Sequence, residues 1–293
     1  MIEIDKTYII LNEKYNGRKP KYGLIKDGKK YIFKYGHMNN EIYAELIAEQ
    51  LGKQLKINMA HYMYAKHNGE YGVLTDNFIQ NNELIISSDD LRENASRIYR
   101  GNQLQFDKDD ISITGIVQAA YALDMNIKTD KLINELMKRW VFYGLILESD
   151  KNETNISFLN SPKGLKLSPD YDNSSMCQLH KNIDTLVNQL KYSNIYSITD
   201  EVGQQVHLSK DTIASSFLDE YRIFCEKYPL QCINILELIK NVDVDKAIKI
   251  VEKNNEIEIP YLIKFWINKV IETRKSDLNI IYNSSKNKIL YKK

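Results

Sequence analysis

Asp150, Asn155 and Asp172 are the residues whose types and spacing could carry chemistry in this chain. Ser149-Asp150-Lys151-Asn152-Glu153-Thr154-Asn155 is followed by Ile156-Ser157-Phe158-Leu159 and then by Leu167-Ser168-Pro169-Asp170-Tyr171-Asp172. An Asp, an Asn five residues on, and a second Asp beyond a short hairpin is an order that suits phosphoryl transfer. In that chemistry the first Asp, Asp150, orients and deprotonates an attacking hydroxyl. Asn155 and Asp172 offer hard oxygen ligands for magnesium on the phosphates of ATP. Asp and Asn are also common turn formers, so the order and context of all three carry the reading, not any one of them. Asp170 competes with Asp172 for the second carboxylate but follows Pro169 and reads as a turn residue.

Phosphoryl transfer also needs a cation on the phosphates. Lys34 closes the apolar stretch Tyr31-Ile32-Phe33-Lys34 and is followed by a helical segment carrying Glu41 and Glu45. A strand-end lysine positioned by a helix glutamate is the usual arrangement, and two glutamates four apart share one helix face, which leaves both as candidates. Upstream, Tyr15-Asn16-Gly17-Arg18-Lys19-Pro20-Lys21 is the one place for a phosphate-covering loop, with Gly17 for the turn and Lys21 for charge.

The elements that must position these residues are legible in outline. Lys21–Lys26 and Lys30–Lys34 flank Asp27-Gly28, and Tyr62–Ala65 and Tyr71–Leu74 flank Asn68-Gly69, two hairpin signals. Between them Asn39–Leu51 reads as a helix with Ile42, Leu46, Ile47 and Leu51 on one face and Gly52 as its stop. The expected order is β-β-α-β-β over residues 1–80, with a lobe boundary near 76–82. Residues 81–293 read as mostly helical. Ile111–Leu123 and Lys131–Leu147 have helical periodicity, the second ending at the Asp150 loop; a hairpin turns about Ser161-Pro162-Lys163-Gly164; helices return from Thr212 to Asn283. The expected fold class is α+β, bilobal and protein-kinase-like, with a small β-rich N-lobe bearing one helix and a larger helical C-lobe.

Bulk properties agree with that class. The chain has 293 residues, and 40 Lys and Arg nearly cancel 39 Asp and Glu, so no global charge argues for nucleic-acid binding. Cys177, Cys225 and Cys232 lack metal-ligand spacing and suit a reduced, cytoplasmic setting. The run Tyr8–Leu11 is too brief for a secretory core, and no apolar segment is long enough for a membrane helix. The five histidines are scattered without ligand spacing, and Trp140 and Trp266 read as core.

On these residues the chain resembles the HipA-like serine/threonine kinases, the toxin kinases of bacterial toxin–antitoxin systems, in a short stand-alone form. The matching residues are Gly17 and Lys21; Phe33-Lys34; Asn40-Glu41 with Leu46 to Gly52; Trp140 to Ile146; Ser149-Asp150 with Asn155; and Leu167-Ser168-Pro169 with Tyr171-Asp172 and Ser174-Ser175. They span roughly residues 14–176. The Pro-x-Tyr-Asp motif is the most diagnostic, because other kinases carry Asp-Phe-Gly there. The resemblance implies Asp150 as base, Asn155 and Asp172 as magnesium ligands, Lys34 on the phosphates with Glu41 as its partner, and adenine against the backbone of Asp76 to Phe78. It implies ATP and Mg2+ as cofactors, a protein substrate with a Ser or Thr acceptor, and a toxin or effector role with a separate antitoxin partner. No direct nucleic-acid or membrane contact is expected. The sequence departs from the family where Asn152 replaces a His two residues after the base, in a phosphate loop without the usual serine and second glycine, and in starting without the larger toxins' N-terminal subdomain. Two other classes share the Asp, Asn and Asp logic: a small-molecule phosphotransferase of the aminoglycoside or choline kinase kind, and a pseudokinase acting as a binding module.

Overall fold

Two tight turns organise the first sheet. Asp27 and Gly28 both take left-handed φ values, 50° and 74°, which lets β3 (Lys21–Lys26) fold directly back on β4 (Lys29–Tyr35). Asn68 and Gly69, at 51° and 85°, do the same for β5 (Tyr62–His67) and β6 (Glu70–Asp76). Alternation then sends Leu24, Phe33, Ala65 and Leu74 to one face, where with Ile4 they form a small buried cluster. The structure is a computed structural model that describes residues 1–11, 20–36, 39–80, 82–99, 109–192, 206–212 and 216–290. The first sheet runs β1-β5-β6-β4-β3-β2, so the four strands read from sequence gain β1 (Ile2–Ile4), parallel to β5, and β2 (Ile9–Leu11), antiparallel to β3.

Helix α1 (Asn39–Gln54) packs Ile42, Leu46, Ile47 and Leu51 into the large core, and that core continues into the helical part of the molecule. It does not stop at Gly52 as the sequence suggests; it continues to Gln54. Gly52 serves close approach instead of termination, because a β-carbon there would lie 2.3 Å from Met59 Sδ. Met59 and Ala60 in turn pair with the Asp170 segment: Ala60 N–H donates to Asp170 O at 2.8 Å and Asp170 N–H to Asn58 O at 2.7 Å.

A second sheet, β7-β8-β9, comprises Leu84–Ser87, Ser157–Ser161 and Gly164–Leu167. The β8–β9 hairpin follows the sequence reading; β7 does not, since it is a short edge strand whose Leu84 and Ile85 face solvent and show no alternation. Helix α2 (Ser88–Tyr99) was likewise unforeseen, its sequence being largely polar. Helices α3 (Ile113–Leu123), capped by the Ser112 hydroxyl, and α4 (Thr129–Leu145) are close to expectation. Beyond them lie α5 (Ile183–Tyr192), α6 (Phe217–Lys227), α7 (Pro229–Lys240), α8 (Val244–Asn255) and α9 (Tyr261–Leu290). The result is a mixed α+β, kinase-like bilobal architecture with a helical C-terminal part.

Trp140 and Trp266 are fully buried, and the Trp266 indole donates to Cys177 O at 2.7 Å. The Cys225 and Cys232 sulfurs meet at 2.7 Å as free thiols, joining α6 to α7. No helix among the described residues is long and apolar enough to cross a membrane.

Candidate active site

Lys34 lies on β4 next to inward-facing Phe33, so alternation turns it to the opposite face, toward α1. Its ammonium bonds Glu45 Oε1 at 2.9 Å and makes a second ion pair with Asp172 Oδ1. The other Glu45 oxygen accepts the backbone N–H of Asn173 at 2.8 Å, so one buried carboxylate binds both the lysine and the chain beside Asp172. This corrects the partner implied by the resemblance: Lys34 pairs with Glu45, not with Glu41 one turn earlier. Glu41 is buried against the same small cavity as Lys34, Glu45 and Ser174.

The charge state follows from this packing. Burial disfavours the Lys34 cation, but Glu45 and Asp172 outweigh it and raise its pKa above the usual lysine range. Burial likewise opposes ionisation of Asp172; the Lys34 ammonium, helped by the charges of Lys21 and Lys151, outweighs it and holds the carboxyl well below the usual carboxylate range. Asp172 is therefore an anion in the fold, with 27% of its side chain exposed.

Asp172 adopts a left-handed backbone with φ 62°, a conformation uncommon outside glycine but one that Asp enters more readily than most residues. Its N–H donates to the buried Tyr62 hydroxyl at 3.1 Å, and its carbonyl accepts from Lys151 Nζ at 3.2 Å. Asp170 does not compete for the cleft. Its carboxylate is wholly buried and accepts from the Tyr143 hydroxyl at 2.5 Å and from Asn173 Nδ2 at 2.9 Å, with Lys151 at 3.6 Å and Arg139 at 3.9 Å.

The Asp150 loop is aimed by the end of α4. Leu147 is left-handed at φ 52°, its N–H donates to Gly144 O, and the Glu148 N–H reaches back to Tyr143 O at 2.9 Å, a Schellman closure with leucine where glycine is usual. The chain therefore turns sharply before Asp150. Glu148 Oε1 accepts the Asp150 N–H at 3.0 Å, while its buried Oε2 lacks a hydrogen-bond partner. Burial pushes the Glu148 carboxyl up to about 8, against the pull of nearby Lys151, so it is mainly protonated at neutral pH. Asp150 itself is exposed. Its carbonyl accepts Asn155 Nδ2 at 3.0 Å, which uses the nitrogen end of that amide and leaves the oxygen end for a ligand. Asn152 accepts the Thr154 N–H at 2.9 Å, capping the short 3-10 turn Glu153–Asn155.

Lys34, Asp150, Asn155 and Asp172 are thus joined by one continuous set of contacts: Asn155 to Asp150, the next residue Lys151 to Tyr171 and Asp172, and Asp172 to Lys34. Lys21 stands opposite Lys34 across β3 and β4. Phe78 meets the Tyr171 ring at 5.8 Å, just past Asp76 at the exposed end of β6. Gly17 lies outside the described residues. Among the described residues no cluster of three His, Cys, Asp or Glu side chains suits a metal. Sequence reasoning did not single out Tyr62, Arg139, Tyr143, Glu148, Lys151 or Asn173. Buried polar supports of this kind carry no spacing signal.

The fold has relatives among solved structures. The Helicobacter pylori proinflammatory kinase CtkA matches with a TM-score of 0.72 at 14% identity, covering 99% of each chain. HipA of the Shewanella oneidensis MR-1 toxin–antitoxin system, solved with HipB and operator DNA, matches with a TM-score of 0.60 at 15% identity, over 95% of this chain and 68% of that one. No family model and no curated protein sequence matches the chain. The fold is the one these two proteins share.

Proposed function

We propose that this chain is an ATP- and magnesium-dependent protein kinase of the HipA-like kind, acting on Ser or Thr hydroxyls with Asp150 as the base. The observation that carries the reading is Lys34 held by both Glu45 and Asp172, with the Asp150 loop bound to the same segment through Lys151. In that reading Lys34 grips the phosphates and Glu45 keeps it in place. The exposed Asp150 carboxylate accepts the proton of the acceptor hydroxyl.

The donor set fits magnesium. Asp172 is a strongly ionised, partly exposed carboxylate, and Asn155 has its amide oxygen to offer; both are hard oxygen ligands. Magnesium held there would neutralise charge building on the transferred phosphoryl group. In this reading Lys21 adds positive charge beside Lys34, and the adenine contacts fall at Asp76 to Phe78 beside Tyr171. A separate antitoxin protein is the proposed partner, by analogy with the HipA–HipB complex.

The test is incubation of the full chain with γ-labelled ATP and Mg2+, with and without a protein extract. Label entering Ser or Thr of protein is the expected result. Label confined to small molecules would replace this reading with a small-molecule phosphotransferase, and nucleotide binding without any transfer would leave a binding module.

A further inference from the structure

Lys151 follows the proposed base directly, in a loop where a lysine would ordinarily extend into water. Here it is 2% exposed. Its ammonium donates to Tyr171 O at 2.5 Å and to Asp172 O at 3.2 Å, lies 3.6 Å from Asp170 Oδ1, and sits 4.9 Å over the Tyr143 ring. A lysine has three donors and a strongly hydrated charge, and burying it without such partners would be costly. Each partner lies on the 170–172 segment or on α4 beneath it.

We propose that Lys151 is a positioning residue that fixes the distance between the base and the metal-binding carboxylate, a proposal that rests on the kinase reading above. The left-handed backbone of Asp172 is held from three directions. Tyr62 takes its N–H, Glu45 takes the next N–H, and Lys151 takes its carbonyl. Tyr62 belongs to β5 and Glu45 to α1; of the three, only Lys151 comes from the loop that carries Asp150. Lys151 is therefore the strut between the two halves of the site, and its charge also balances Asp170 at the root of the metal-binding turn. Without it the carbonyls of 171 and 172 lose their donor, and the Asp172 carboxylate is no longer presented in one orientation.

The experiment compares wild type with Lys151→Met and with Lys151→Met/Asp170→Asn, the second variant removing the carboxylate that the first leaves less well balanced. Calorimetry reads the affinity for a non-hydrolysable ATP analogue with and without Mg2+, alongside the Mg2+ dependence of phosphoryl transfer. Both variants are expected to bind the metal-free analogue like wild type, while the gain in affinity that Mg2+ confers falls by about tenfold or more, as for other residues that orient metal ligands. Unchanged Mg2+ dependence in a folded variant overturns the proposal, and so does failure of both variants to fold, which would assign Lys151 to stability alone. If wild type binds the analogue with Mg2+ but transfers no phosphate, the kinase reading falls while the calorimetric comparison still decides Lys151. If wild type binds no nucleotide, both fall.

Discussion

Lys34 and Asp172 form a direct ion pair although 138 residues separate them in the chain, and Glu45 completes the triad from α1. The pairing makes the two glutamates of α1 experimentally distinguishable. Glu45→Gln removes the charge that faces Lys34 and should lower kcat/KM for ATP by roughly tenfold to a hundredfold. Glu41→Gln should cost less, and steady-state kinetics on the two variants checks the order.

Asp150 and Asp172 should fail in different ways. On the proposed kinase reading, Asp150→Ala removes the base but not the phosphate grip, so transfer should fall by about 10²–10⁴ while nucleotide binding persists. Asp172→Ala should abolish the contribution of Mg2+ to nucleotide binding as well. Equilibrium binding beside a transfer assay separates these outcomes.

Glu148 gives stability a pH dependence of definite sign. Its pKa rises from 4.5 to about 8 on folding, so between those values the native state keeps a proton that the unfolded chain has released. Its contribution to stability therefore declines as pH rises across that window. Glu148→Gln keeps an acceptor for the Asp150 N–H and has no charge to bury. It should match wild type near pH 4 and exceed it by on the order of 1–3 kcal/mol near pH 9, as measured by denaturant unfolding at both pH values.

Gly144 is a packing constraint on the helix that aims the Asp150 loop. A β-carbon there would lie 2.0 Å from Phe217 Cζ, on a rigid ring packed against Trp140. Gly144→Ala should destabilise the fold by about 1–3 kcal/mol despite the better helix propensity of alanine. A lowered Tm is the readout.

The parts legible in the sequence were those encoded locally. Asp27-Gly28 and Asn68-Gly69 announce their turns because few residue pairs accept two left-handed conformations in succession. The periodicity of Ile42, Leu46, Ile47 and Leu51 announces α1. The choice between Glu41 and Glu45 was not legible, since residues four apart share a face and the register of α1 against β4 is a tertiary property. Gly52 misled for a similar reason: its role is set by Met59, which packs against it from outside the helix. Asp170 reads as a turn residue until its carboxylate is found among Tyr143, Asn173, Lys151 and Arg139. The edge strand β7 carries no alternation to read.

The reversal at Leu147 is closed by main-chain bonds alone, to Gly144 and Tyr143. The heading of the polypeptide as it leaves α4 is consequently independent of the side chains at 148–150. Beyond the reversal the buried Glu148 carboxyl holds the Asp150 N–H, so the main chain sets the direction of exit while the position of Asp150 still depends on the side chain at 148.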